Sequence, residues 1–414
     1  VRVIADLQIH SKYARATSKD LSIENLEKYA RIKGIDLLGT GDFQHPLHRK
    51  EIDAALTEDD KGILRTKTGF PFIWQSEISL MFSQGGKRRA VHLLIYAPNT
   101  KLADKITEYL GSKGRLDYDG RPIFGMTCRD VVRDLKRISD KIEIIPAHCL
   151  TPFFGLYGSK SGFDSLSECF MDMSDKIYAV ESGLSADPGM IWRFKENVNV
   201  VSSSDAHSFW PFRLGREATI FEIPELSYDN ITNAIRTGNG LWGTIETPPS
   251  YGKYHWDGHR DCNFSSSPKE TKKLNGKCPV CGKPLIIGVD YRVEEIAKEP
   301  DGYKPKNSKP YYTLVPLQEL ISFVIKSPLA SKNTWGVYNS LTDKFGNELE
   351  IMMDADPKML AKGKVDPKLI EIIIANREGK LKIKPGYDGV YGQVEVSEVK
   401  EKEANDEKGQ TRLI

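Results

Sequence analysis

Val201-Ser-Ser-Ser-Asp-Ala-His207 decides how the first 245 residues are to be read. The apolar run at 198–201 predicts a buried strand. Small residues follow it, then an aspartate and a histidine two positions apart. Residues i and i+2 of an extended segment point the same way, so Asp205 and His207 can aim a carboxylate and an imidazole at one spot. A buried strand that runs into ligand-type residues is the pattern of an α/β barrel, where chemistry sits at the C-terminal ends of the strands.

The same pattern recurs upstream. Apolar stretches at 1–7, 35–39, 70–76, 90–97, 142–147, 177–181 and 198–202 predict strands, and helical patterns lie between most of them. Ser22 and Gly34, for example, bracket a helix as its N-cap and its stop. Seven such units favour a closed, distorted seven-stranded (βα)7 barrel with a largely parallel sheet over an open sheet.

The predicted strand ends carry Asp6-Leu-Gln8-Ile-His10, Thr40-Gly-Asp42, Glu77, His92, His148, Glu181 and Asp205-Ala-His207. Carboxylates and imidazoles drawn from several strands suit Zn, Mn or Fe. A bridging carboxylate can join two ions about 3.5–4 Å apart, which polarise phosphate oxygens and lower the pKa of a bound water.

Composition narrows the class. The chain has 414 residues, a net charge of +2 from 59 basic and 57 acidic residues, and 39% hydrophobic residues. It can bury sizeable cores, and any nucleic-acid surface must be a local concentration of charge. Six cysteines in so long a chain suit a reducing compartment and thiols, not a disulfide framework. No signal peptide or membrane-length apolar run is evident, so a cytoplasmic, nucleoid-associated location is expected.

The alternation breaks near Thr247-Pro-Pro-Ser-Tyr-Gly252. A module at 246–290 follows, with His259-Arg-Asp-Cys262 and Cys278-Pro-Val-Cys281 as two knuckles of a four-ligand structural zinc site. His255 competes for the fourth place. His259 is preferred because H-x2-C mirrors C-x2-C. Lysines 253, 269, 272, 273, 277 and 283 are interleaved with Tyr251, Tyr254 and Trp256, a composition that grips phosphates and stacks on bases.

Residues 291–394 begin with a polar linker and turn mainly helical. They end in a Gly/Tyr-rich run where Tyr387, Asp388 and Tyr391 are candidate DNA contacts. The charged tail at 395–414 is expected to be disordered. It closes with Gln410-Thr-Arg-Leu-Ile414, the start of a Q-x-x-hydrophobic sliding-clamp motif without its aromatic pair.

The ligand series at 1–245 resembles the PHP (polymerase and histidinol phosphatase) superfamily of metal-dependent phosphoesterases. The resemblance implies a distorted seven-stranded barrel holding two or three divalent ions (Zn, Mg or Mn). It assigns His10, Asp42, Glu77, His92, His148, Asp205 and His207 as metal ligands, with Glu77 bridging, and makes Asp205, His148 and Glu77 the catalytic candidates. Two positions depart from the family pattern. Gln8 stands where a histidine is usual and can ligate only through its amide oxygen. Phe43 cannot ligate at all, and His45 lies two residues beyond it.

Over nearly the whole chain the motif order is similar to archaeal endonuclease Q. That resemblance implies nicking of DNA 5′ to a deaminated base (hypoxanthine, uracil, xanthine) or an abasic site, with the lesion flipped out of the duplex and 3′-hydroxyl and 5′-phosphate ends left. Two other readings fit part of the sequence. A small-molecule phosphatase of the histidinol-phosphate type explains the ligands but leaves the chain after Ile245 without a role. A non-catalytic DNA-binding protein explains Gln8 and Phe43.

Overall fold

The computed structural model describes residues 1–395. Seven strands enclose the barrel: β1 (Arg2–Asp6), β2 (Leu37–Gly39), β3 (Pro71–Gln84), β4 (Lys87–Ala97), β5 (Glu143–Pro146), β6 (Ala179–Glu181) and β7 (Asn199–Val201). Strands β1, β2 and β3 pair in parallel, as do β6 and β7. The Cys149 amide donates to the Glu181 carbonyl at 2.9 Å, tying the end of β5 to that of β6. His10 donates to the Ala206 carbonyl at 3.1 Å and closes the ring from β7 back to β1.

The barrel departs from the expected, largely parallel sheet. Strand β4 runs antiparallel to both β3 and β5. Its reversal follows from Gly85 and Gly86, which take φ of 60° and 73° between the two strands. A two-residue turn with both residues at positive φ is the connection that matches strand twist, and glycine adopts it without strain. Strands β8 (Ala218–Glu222) and β9 (Leu241–Glu246) also pair antiparallel, extending the sheet outward from β1.

Alternation explains the barrel interior. Val3, Ala5 and Leu7 point inward from β1 and its extension, and pack with Leu37, Ile73, Leu94, Ile145, Ala179 and Val201. The helix Tyr228–Thr237 packs against this cluster with Ile231 and Ile235. Outer helices follow their caps: Ser22 Oγ accepts from Asn25 N, and Gly34 ends that helix at φ 99°.

The stretch expected as a linker does not separate the C-terminal part from the barrel. It leads into β10 (Tyr311–Thr313), which adds in parallel beside β9. Beyond it lie the helices Leu317–Val324, Lys332–Phe345, Glu348–Met353, Pro357–Lys362 and Pro367–Arg377. The last four are capped by the side chains of Ser331, Asn347, Asp356 and Asp366. A hairpin of Lys382–Lys384 and Gln393–Glu395 encloses the Gly/Tyr-rich run. The clamp-type stretch Gln410–Ile414 lies outside the described residues.

Candidate metal centre and nucleic-acid interface

Two groups of ligand-type side chains meet at the mouth of the barrel. His10, Asp205 and His207 form one; Glu77, His92 and His148 form the other. In each group the candidate ligand atoms lie within 4.8 Å of one another. Glu77 stands between them. Its Oε2 is 3.0 Å from His10 Nε2, and its Oε1 is 2.6 Å from His92 Nδ1 and 3.4 Å from His148 Nε2.

Each of the four histidines is held by one ring nitrogen and offers the other to the site. His10 Nδ1 is 3.1 Å from Asp42 Oδ1, and His92 Nε2 is 2.8 Å from Ser79 Oγ. His148 Nδ1 is 2.9 Å from Thr151 Oγ1, and His207 Nδ1 is 2.9 Å from the Asp205 carbonyl. With those nitrogens protonated and donating outward, the free nitrogens of His10, His92 and His148 face the Glu77 carboxylate. Fixing the tautomer from behind is how proteins prepare imidazole ligands for metal.

Backbone strain marks the same corners. Asp42, His148 and Asp205 take φ of 33°, 31° and 49°. Non-glycine residues rarely occupy that region, and it collects at functional sites. The Asp205 corner is fastened by Asp6, whose carboxylate accepts from Ser204 N at 2.9 Å and from Gly215 N at 2.8 Å.

The electrostatics suit cations. Burial pushes the His92 imidazole down to about 4, so the ring stays neutral and able to ligate. Burial alone would raise Glu77, but the nearby Arg121 charge and hydrogen bonds from His10 and His148 hold its carboxyl well below the usual range. Gln8 Nε2 donates to Glu77 Oε2 at 2.9 Å, while Gln8 Oε1 is buried with no hydrogen-bond partner. An imidazole–carboxylate set with a spare amide oxygen fits divalent ions of the Zn, Mn or Fe type.

Several residues sit differently from the sequence expectation. Glu77 and His92 are mid-strand residues of the β3–β4 hairpin and not strand-end residues, because β4 is reversed. Asp42 stands behind His10, bonded also to Ser11 N at 2.6 Å, and belongs to neither three-residue group. Phe43 turns into the core against Trp74. His45 stacks on Tyr13 at 4.6 Å and joins neither group. Glu181 accepts from the His148 amide, bracing the strained corner from below.

Sequence reasoning missed Ser79, Thr151 and Arg121. Arg121 extends from the loop before the short strand Ile123–Phe124 and brings Nη1 to 3.4 Å from Glu77 Oε1. No motif marks any of the three. Only the pairing of Ser79 with His92 across the Gly-Gly hairpin was readable in principle.

The second Cys/His group is compact. His259, Cys262, Cys278 and Cys281 converge within 4.8 Å, and His259 Nδ1 is 3.3 Å from Cys281 Sγ. His255 is not among them, and its Nδ1 is buried with no hydrogen-bond partner. Burial alone would raise the Cys278 thiol, but the Cys281 and Val280 amides and His259 bring it down to about 6. A thiolate poised in this way suits a closed structural zinc site.

The Gly/Tyr-rich run docks on this module. Tyr387 is buried against Gly258, and its hydroxyl donates to Asn263 Oδ1 at 2.7 Å. Asp388 Oδ2 accepts from Arg260 N at 2.6 Å. Both residues thus pack on the module, Tyr387 buried and Asp388 half-buried. Tyr391 alone of the three is exposed, with Arg213 and Lys253 at 5.7 and 6.0 Å from its ring.

A barrel whose imidazoles and carboxylates are tied for metal, joined to a thiolate-rich knuckle module, defines a metal-dependent hydrolase. Residues 316–380 match the family described as the MJ0043 C-terminal domain. The chain is 37% identical over 256 residues to the uncharacterised protein MJ0043 of Methanocaldococcus jannaschii, a match covering 60% of this chain. It spans only 31% of that relative's length. The crystal structure of the lesion-specific endonuclease PfuEndoQ from Pyrococcus furiosus superposes with a TM-score of 0.86 at 32% identity, covering 96% of each chain. An endonuclease Q complex with a 27-mer duplex bearing an abasic lesion at the active site gives 0.85 at 31% identity, covering 96% of this chain and 97% of that one. The chain belongs to the endonuclease Q family.

Proposed function

We propose that this protein nicks duplex DNA on the 5′ side of a deaminated base (hypoxanthine, uracil or xanthine) or an abasic site. Water adds to phosphorus, the P–O3′ bond breaks, and O3′ takes a proton. The ends are a 3′-hydroxyl and a 5′-phosphate. The observation that carries the reading is Glu77, whose two carboxylate oxygens face two separate ligand groups. Support for the lesion comes from PfuEndoQ, a lesion-specific endonuclease, and from the abasic site in the related complex.

His10, Asp205 and His207, and Glu77, His92 and His148, would hold divalent ions, which would supply charge neutralisation at the phosphodiester and a lowered pKa for an attacking water. The protein's own part is positional. Asp42, Ser79 and Thr151 fix the rings, and the closed zinc module presents a basic, aromatic face to the backbone. Lys253 and Arg213 around Tyr391 supply charge beside a stacking surface on the same molecule. The terminal Gln410–Ile414 segment adds a candidate contact for a sliding clamp.

The test is a nicking assay on end-labelled duplexes carrying hypoxanthine, uracil, an abasic site or no lesion, with Mg²⁺, Mn²⁺ or EDTA. A single metal-dependent cut immediately 5′ of the lesion is expected. Hydrolysis of p-nitrophenyl phosphate without any nick would replace this reading with the small-molecule phosphatase. Lesion binding with no hydrolysis of either substrate would make the chain a non-catalytic DNA-binding protein.

A further inference from the structure

We infer that Arg121 meets the scissile phosphate, placing its guanidinium on a non-bridging oxygen during strand cleavage. This rests on the nuclease reading above. The side chain enters the site from outside the barrel strands, on the irregular loop that joins the helix Thr100–Lys113 to the strand Ile123–Phe124. Its Nη1 is 3.4 Å from Glu77 Oε1, the oxygen that faces His92 and His148. Glu77 is fully buried, whereas the Arg121 side chain keeps 25% of its surface exposed. The guanidinium therefore lies between the shared carboxylate and the open mouth, where a phosphate would arrive.

The loop is built to hold that position. Arg121 N donates to Asp119 Oδ1 at 3.1 Å, and Asp119 is itself paired to Arg15 at 3.1 Å. Gly120 N donates to the Tyr13 carbonyl at 3.0 Å, and the Gly120 carbonyl accepts from Gln44 Nε2 at 2.6 Å. A Cβ at position 120 would stand 2.3 Å from Asp42 Oδ2, so the loop can lie this close only with glycine there.

The chemistry calls for such a group. Attack on a phosphodiester spreads negative charge over the equatorial oxygens, and a planar guanidinium can hold two of them at once. Carboxylates around the ligands would otherwise repel the substrate. Gln8 brings a neutral amide and no imidazole to Glu77, and Arg121 supplies fixed positive charge on that same carboxylate.

The experiment compares wild type, R121K and R121A in single-turnover nicking of an abasic duplex. Metal content by plasma mass spectrometry and lesion-duplex affinity in EDTA are measured in parallel. R121A is expected to cut about 100-fold more slowly with unchanged metal content, and millimolar guanidinium in solution is expected to restore part of the rate. On a duplex with a methylphosphonate at the scissile position, which lacks the charged oxygen, R121A and wild type should cut alike. If R121A holds less metal, R121K decides. It keeps the charge beside Glu77 without the planar fork, and full activity there would reduce Arg121 to a counter-charge and overturn the inference. Equal rates for wild type and R121A on the natural linkage would also overturn it while leaving the nuclease reading intact. Absence of nicking by the wild type would remove both.

Discussion

Lys33 Nζ lies 2.7 Å from Glu348 Oε1, with both side chains buried, and so joins the first barrel helix to the C-terminal helices. The pair is fully dressed. Lys33 also donates to the Pro211 carbonyl at 2.9 Å. Glu348 accepts from Leu317 N at 2.9 Å and from the Tyr338 hydroxyl at 2.8 Å. Removing one partner strands the other charge in a low-dielectric interior. Lys33→Met should lower unfolding stability by about 3 kcal/mol or more, read from the denaturant midpoint. Lys33→Met with Glu348→Leu should recover much of that loss. An unchanged midpoint in the single variant would mean that the barrel and the C-terminal helices do not unfold together.

Thr151 touches no candidate metal position yet sets the ring that does. Thr151→Val keeps the shape and removes the acceptor for His148 Nδ1. A loss of about 10–100-fold in metal affinity or nicking is expected, against complete loss of nicking for His148→Ala or Asp205→Ala. Metal titration of the apo protein checks it. Wild-type affinity in Thr151→Val would leave His148 without need of its support.

Gln8 offers a test of its own. Its unpartnered Oε1 is buried beside the ligands, so Gln8→His should raise the number of tightly held ions per chain. Plasma mass spectrometry after exhaustive dialysis gives the count. No change would place position 8 outside the ligand set.

The zinc module should behave as a folding element. Cys278→Ser removes one of four converging ligands. One zinc per chain should be lost, the thermal midpoint should fall, and DNA affinity should weaken. Retention of the full zinc content would remove the structural-zinc assignment.

A buried acid gives a pH signature. Burial, reinforced by the Asp6 carboxylate and only partly offset by Arg216 and Thr247, pushes the Glu217 carboxyl up to about 8 from an ordinary value of 4.5. Its folded form favours the proton. The stabilisation is therefore complete below about pH 4.5 and is lost as pH rises through about 8. Glu217→Gln removes this term, so its thermal midpoint should decline less between pH 5 and 9 than that of the wild type. Parallel declines would show that Glu217 is already ionised in the folded state.

Much of the barrel was legible because its signals are local. Buried strands appear as apolar runs, and the caps Ser22 and Gly34 set a helix to the residue. The direction of β4 was not read, although Gly85-Gly86 between two strands is itself a hairpin signal. His92 was thus found by its type and misplaced in its geometry. Tyr387 looked like a surface residue because a Gly-rich run resembles a loop, whereas the zinc module buries it, and the Arg260 amide holds the half-buried Asp388. Arg121 and Thr151 had no local signature at all, since their partners lie on other segments.

The β3–β4 hairpin also bears on the order in which the site comes into being. Glu77 and His92 are separated by one tight turn, so their approach is a local event of the kind that takes microseconds. His10 and Asp205 must be brought together across a sequence separation of 195. A chain emerging from the ribosome can bring Glu77 and His92 together once residue 97 is free, but that group waits for His148 and the other cannot exist before His207 has appeared. The shared carboxylate is therefore in place first, and metal-binding competence arrives as a late step that reports closure of the whole barrel.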